Sequence, residues 1–218
     1  MPLDTVIFDM DGLLIDSEPL WQEAGMELLS QHDITLTDDQ YHNTTGLRTP
    51  EWIDHWFGEF NIDKAHSLGA ITSIHQLAIS KIGEKGIAMP GIEHIMQFFK
   101  ERNFKIGLAS SSPMELINVV TQKLGIGKYL TASVSADRLP YGKPHPQVFL
   151  DCAEALSVNP NQCIVFEDSF NGMIAAKAAR MKCVVVPAPG YFDLDKWAAA
   201  DLKIESLDQF SDRHLAQL

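Results

Sequence analysis

Four short stretches of this 218-residue sequence carry side chains whose types and spacing could do chemistry. The first, Phe8-Asp9-Met10-Asp11-Gly12, puts two carboxylates two residues apart at the end of an apolar run. Residues i and i+2 project to the same side if the extended geometry persists, so both acids would face one site. A carboxylate can attack phosphorus and form an acyl phosphate. A second acid beside it can protonate the leaving alcohol and later activate water. Two solvated loop acids give the same pattern, so the pair acquires meaning only from the other three stretches.

The second stretch, Ala109-Ser110-Ser111-Ser112, gathers hydroxyls and free backbone N–H groups where a helix starts. There the helix dipole is positive, which suits a phosphate. A serine-rich loop that only caps a helix is the competing reading. The third, Gly142-Lys143-Pro144-His145-Pro146, is a rigid turn that fixes where one ammonium points, although a lone loop lysine is usually solvated. The fourth, Val165-Phe166-Glu167-Asp168-Ser169, ends another apolar run in an acidic pair, which would also fit a helix N-terminus with favourable acids. Together with Asp9 and Asp11 it collects carboxylate oxygens that suit a hard octahedral cation keeping several waters. Magnesium is the natural choice, since no Cys or His cluster offers softer ligands.

These stretches need a scaffold that brings them to one edge. Thr5 to Phe8, Lys105 to Ala109, Cys163 to Phe166 and Cys183 to Val186 read as buried parallel strands, being short, apolar and β-rich. Thr131 to Ser135 is a weaker fifth and Asp201 to Ile204 a sixth at an edge. Ser112-Pro113-Met114-Glu115 reads as a capping box, with Ser as N-cap, Pro at N1 and Glu at N3. Strand and helix alternate from about residue 91 onward, which predicts a doubly wound, Rossmann-like parallel sheet with sites beyond the carboxyl ends of its strands. Residues 17–89 break the alternation. They hold helical runs at Trp21 to Ser30, Glu51 to Phe57 and His66 to Lys81, and no convincing strand. The expected organisation is an α/β core at 1–16 and 90–218 with an inserted α-helical cap at 17–89.

The bulk composition, 45% hydrophobic and 21% charged, belongs to a chain that buries a full core. Seventeen basic against 29 acidic residues leave a net charge of −12, without a basic stripe, which argues against a nucleic-acid partner. The same negative field would repel an anionic substrate, so an anion site here needs local positive charge. Cys152, Cys163 and Cys183 form no C-x-x-C pair and suggest neither a disulfide framework nor a zinc ribbon. No window approaches a membrane span and the amino terminus lacks a basic n-region, so a soluble, cytoplasmic protein with no membrane partner is expected.

The four motifs, in this order and at strand ends, resemble the haloacid dehalogenase-like hydrolases, in particular the phosphatases with a small helical cap after the first strand. The resemblance covers nearly the whole chain. It implies Asp9 as nucleophile and metal ligand, and Asp11 as general acid and base whose main-chain carbonyl also reaches the metal. It implies Ser110 and the N–H of Ser111 as phosphate holders and Lys143 as the bridge between phosphate and nucleophile. Asp168 would be the main acidic metal ligand, with Glu167 beside it as a further one. The cofactor would be Mg2+, replaceable by Mn2+ or Co2+. Since the dehalogenases lack the second Asp, Asp11 argues for phosphoryl chemistry.

The cap would exclude water from the site and meet the rest of the substrate, with Glu18, Trp21, His42 and Arg48 as candidates; Trp21 also reads as a core residue and Arg48 as a solvated loop cation. The resemblance points to small sugar or sugar-alcohol phosphates, of hexose, hexitol or 2-deoxyglucose-6-phosphate type, handled by a monomer or a weak dimer. Two alternatives stand beside it. A β-phosphoglucomutase would use the same motifs to return the phosphoryl group to sugar. A signalling receiver domain also pairs acids, a lysine and magnesium, but draws its acidic pair and its phosphorylated Asp from different strands and is much shorter.

Overall fold

The computed structural model of the protein describes residues 2–37, 40–41, 44 and 47–218. Two compact units emerge, one made of Met1–Asp16 with Ala88–Leu218 and the other of Ser17–Ile87. The first is built on six strands: β1 (Thr5–Phe8), β4 (Lys105–Ser110), β5 (Ala132–Ser135), β6 (Cys163–Glu167), β7 (Lys182–Val185) and β8 (Leu202–Lys203). Their order in the sheet is β5-β4-β1-β6-β7-β8, and every neighbouring pair is parallel. The chain moves from β1 to one side through β4 and β5, then returns to the other side through β6. β1 therefore stands at the switch point of the sheet, the position at which open α/β sheets bind ligands beyond the strand ends.

Parallel central strands are covered on both faces, and this explains their unbroken apolar sequences. Phe8 and Phe166 point to one face, with ring centroids 5.1 Å apart, and pack with Phe99 of α4 (Ile92–Glu101) and with Phe210. Ile7 and Val165 point to the other and pack against α6 (Gln147–Ala155) and α7 (Phe170–Ala178) through Phe149, Cys152, Met173 and Ala176. Helix α5 (Met114–Lys123) completes the longer connections. All three cysteines are buried free thiols, and burial pushes Cys152 and Cys163 up to about 12, which keeps them protonated.

The second unit holds α1 (Glu18–Ser30), α2 (Thr49–Glu59) and α3 (Ser67–Lys85). Its core is aromatic and aliphatic, with Trp52, Trp56, Phe57 and Ile74 buried, and Lys81 pairs with Glu27 at 2.8 Å on its surface. Where the chain passes between the units, β2 (Ile15–Asp16) and β3 (Ile87–Ala88) form a two-stranded ribbon. The sequence reading had no strand in this stretch; two residues are too few to display an alternation of period two. No helix among the described residues is long and apolar enough to cross a membrane.

Candidate active site

Strand register assembles the site. Phe8 pairs with Leu108 on one side and Phe166 on the other, so the next residues, Asp9, Ala109 and Glu167, fall side by side at the carboxyl edge. The Asp9 N–H continues the ladder by donating to the Phe166 carbonyl at 3.0 Å. Asp9 follows Ile7 and Glu167 follows Val165 by two positions, so both carboxylates turn to the face covered by α6 and α7. The loop after β1 is tight: Gly12 N donates to Ile15 O and Leu14 N to Met10 O, both at 2.9 Å.

Lys143 reaches into this edge from the turn before α6. Its Nζ donates to Asp9 Oδ1 at 2.5 Å and Glu167 Oε1 at 2.6 Å, and lies 3.4 Å from the Ala109 carbonyl. The Phe149 ring lies beneath the ammonium, 4.8 Å from ring centroid to Nζ. The other Glu167 oxygen, Oε2, accepts from Ser169 N at 2.9 Å and Ser169 Oγ at 2.8 Å. Glu167 is thus fully buried with both oxygens hydrogen-bonded.

Asp9, Glu167 and Asp168 each offer an oxygen within 4.8 Å of the others. Two of these carboxylates, Asp9 and Glu167, share the Lys143 ammonium, and Asp168 stands beside them. Burial pushes Asp9 up, the Lys143 charge pulls it back, and Glu167 and Asp11 push it up again, to about 8 from an ordinary 3.8. On Lys143 burial opposes the charge, but Asp9 and Glu167 outweigh it and hold the ammonium above its ordinary value. Asp9 is raised chiefly by burial and Lys143 by its two acidic partners, so both groups hold their protons in this cluster. A divalent cation with a preference for oxygen would stabilise the ionised acids, and the all-oxygen donor set fits magnesium. Gly12 contributes to the same cradle, because its φ of +74° favours glycine and a Cβ there would overlap the Asp168 carboxylate.

The serine loop differs from its sequence reading. Pro113, not Ser112, is the N-cap of α5, and no side chain caps that helix. Ser112 is buried and its Oγ donates instead to Asp11 Oδ2 at 2.7 Å. Ser110 Oγ donates to the same oxygen at 3.2 Å and accepts from Ser112 N at 3.0 Å. Ser111 lies between them, half-buried. A local Ser-Pro-x-Glu pattern mimics a cap; the competing acceptor, 101 residues away in sequence, decides where the hydroxyl turns.

Asp9, Asp11, Ser110, Lys143, Glu167 and Asp168 are therefore linked in one cluster. Glu18 and Arg48 belong to the helical unit. Glu18 is half-buried in the first turn of α1. The Arg48 guanidinium pairs with Glu51 at 2.7 Å, and Glu51 also accepts from the Arg48 N–H at 3.0 Å, so α2 begins on a local ion pair rather than a solvated cation. Trp21 meets His75 edge-on, with centroids 6.4 Å apart. His42 lies outside the described residues.

Sequence reasoning missed Ser112, Ser169, Phe149 and Gly172. The last is tied to the site sterically: a Cβ at Gly172 would overlap the locked Glu167 carboxylate. Inside a helix, glycine to alanine ordinarily stabilises by about 0.5–1 kcal/mol. Gly172→Ala should reverse that sign and cost at least about 2 kcal/mol in urea unfolding, by displacing a buried, paired carboxylate. A variant as stable as the parent would contradict this packing.

The fold and the site define an α/β enzyme with its polar groups gathered at the switch point of a parallel sheet. The sequence profile of the haloacid dehalogenase-like hydrolases matches residues 3–180, and the chain belongs to that family. It is 39% identical to hexitol phosphatase B of Escherichia coli strain K12 over 210 residues, 96% of this chain and 95% of that one. A fructose-1-phosphate phosphatase of the same strain is 30% identical over 182 residues, 83% of this chain and 95% of the other. Among solved structures, a β-phosphoglucomutase from Clostridium difficile superposes with a TM-score of 0.86 at 27% identity, covering 99% of this chain and 96% of its own. The chain is a phosphoric monoester hydrolase by class.

Proposed function

We propose that the protein hydrolyses small sugar or sugar-alcohol phosphates, hexitol and hexose phosphates foremost, with Asp9 as the nucleophile. The observation that carries this reading is the Lys143 ammonium bonded to Asp9 and Glu167, with the Asp168 carboxylate in the same cluster. In a chain of net charge −12, a dianionic ester could approach such a carboxylate only with local positive charge in place. Lys143 supplies one part. Mg2+, or Mn2+ or Co2+ in its stead, would be held by Asp9, Asp168 and the Asp11 carbonyl, and when bound it supplies the charge that screens ester from nucleophile.

The residues then divide the work. An Asp9 oxygen attacks phosphorus; the P–O bond to the sugar breaks, and its electron pair leaves on the alcohol oxygen, which takes the proton of Asp11. In the second half, Asp11 removes a proton from water, the water oxygen attacks phosphorus, and the Asp9 carboxylate departs, releasing inorganic phosphate. Ser110 and the Ser111 N–H hold the transferring group in line. Glu167 orients Lys143, and its two hydrogen-bonded oxygens suit that task better than direct ligation. Recognition of the carbon skeleton is assigned to the helical unit, with Glu18 and Arg48 as its polar contributors.

The similarity to hexitol and fructose-1-phosphate phosphatases supports the substrate class. The likeness to a β-phosphoglucomutase supports a second reading, in which the phosphoryl group returns to sugar. The test is a panel of sorbitol 6-phosphate, fructose 1-phosphate, 2-deoxyglucose 6-phosphate, glucose 1-phosphate, a nucleoside monophosphate and a phosphopeptide, each with Mg2+ and with a chelator. Hexitol or hexose esters should give the highest kcat/KM, with free phosphate released and activity lost on chelation. Preference for the nucleotide or the phosphopeptide, or indifference to chelation, would overturn the reading; interconversion of glucose 1-phosphate without phosphate release would favour the mutase.

A further inference from the structure

Asp11 Oδ2 accepts two hydroxyl protons, from Ser112 at 2.7 Å and from Ser110 at 3.2 Å. A hydroxyl has one proton to give. If Ser110 turns its proton to a bound phosphate, it can no longer hold Asp11 Oδ2, and the shorter bond, from Ser112, still does. Ser112 is built for that. It is buried, its N–H is fixed on Ser110 Oγ at 3.0 Å, and its carbonyl accepts from Ser135 Oγ at 2.6 Å. Ser135 is fixed in turn by the Asp137 N–H at 3.1 Å, so hydroxyls at the ends of β4 and β5 anchor the backbone around Ser112.

We infer that Ser112 is a positioning residue for proton transfer: through Oδ2 it holds Asp11 aligned with the leaving oxygen while Ser110 is engaged by the phosphoryl group. The inference rests on the assignment of Asp9 and Asp11 given above and adds a residue to it. It has a consequence that a merely structural serine would lack. Protonation matters when the leaving oxygen is a poor one, as in an alkyl ester, and little when it departs readily as an anion, as in 4-nitrophenyl phosphate. Since kcat/KM reports only steps up to release of the first product, it isolates the half-reaction in which Asp11 acts as acid.

The experiment measures kcat/KM for sorbitol 6-phosphate and 4-nitrophenyl phosphate with the parent, Ser112→Ala, Ser112→Thr and Asp9→Asn, all with Mg2+. Ser112→Ala should lose about 100-fold on the alkyl ester and less than about threefold on the aryl ester, with Ser112→Thr close to the parent on both. Equal losses on the two esters, no loss on the alkyl ester, or a Thr variant as impaired as Ala would overturn the role of Ser112. Should Ser112→Ala fail to fold, the Thr variant decides alone, since it keeps the hydroxyl: a leaving-group-dependent deficit there would refute positioning by that hydroxyl. Asp9→Asn separates the two levels. If it turns over either ester, the assignment of Asp9 falls; if it is inactive, only the Ser112 result bears on the inference.

Discussion

Asp9→Asn should lower kcat on the best phosphate ester by about 10⁵-fold or more while leaving the protein folded. An amide is isosteric with the carboxylate and its oxygen can still accept from Lys143, so the packing of the edge survives. It lacks the charge and the nucleophilic oxygen. Its effect on stability should run opposite to its effect on rate. Asp9 sits at about 8 in the folded protein against an ordinary 3.8, chiefly because burial disfavours its charge. The folded state therefore binds a proton that the unfolded chain has already released. Without divalent ions, the parent should lose stability as pH rises from about 4 toward about 8, because the unfolded state binds fewer protons across that window. Asp9→Asn removes this contribution, so at pH 8 with chelator it should melt at or above the parent. An active variant would contradict the role of Asp9 as nucleophile, and one markedly less stable than the parent under these conditions would contradict the cost assigned to burying its charge.

Lys143→Met should be the most damaging change to the fold of the site. The Lys143 side chain is 6% exposed and those of Asp9 and Glu167 are 8% and 0% exposed, so removing the ammonium leaves the fully buried Glu167 carboxylate beside Asp9 without the cation that both bond. Breaking a buried pair from one side costs about 3–5 kcal/mol, because the surviving charge is left uncompensated. Methionine can keep the contact with Phe149, which confines the loss to electrostatics. Urea denaturation with chelator should show that decrease, and adding Glu167→Gln to Lys143→Met should restore part of it. The double variant thereby distinguishes charge from packing. Activity should fall by at least about 100-fold in both, since the phosphoryl group loses its protein-borne cation. A Lys143→Met protein as stable as the parent would mean that the ion pairs contribute little.

The residues differ in how legible they are. β1, β4, β6 and β7 are recognisable because a central parallel strand buries both faces and leaves an unbroken apolar run. Asp9, Glu167 and Asp168 are found with them, as the first polar residues beyond each run. The turn at 142–146 marks Lys143, but nothing local reveals that its ammonium would lie between two carboxylates from different strands; only the register of β1 with β6 does so. Ser112 is misread for the same reason. Its sequence neighbours describe a helix cap, while its actual partner, Asp11, arrives through the pairing of β1 with β4. Gly172 is visible as a glycine in a helix, yet its purpose depends on a carboxylate five positions earlier, folded back beneath it. Local pattern thus locates groups at strand ends, and register decides which of them touch.

The central claim is that Asp9 carries the phosphoryl group between the two halves of the reaction. Mixing the enzyme with a good substrate and Mg2+, quenching in acid within milliseconds and mapping peptides by mass spectrometry tests it most directly. The account predicts a transient phosphoryl adduct on the peptide containing Asp9, absent from Asp9→Asn. Rapid phosphate release without any such adduct, or an adduct on another residue, would contradict it.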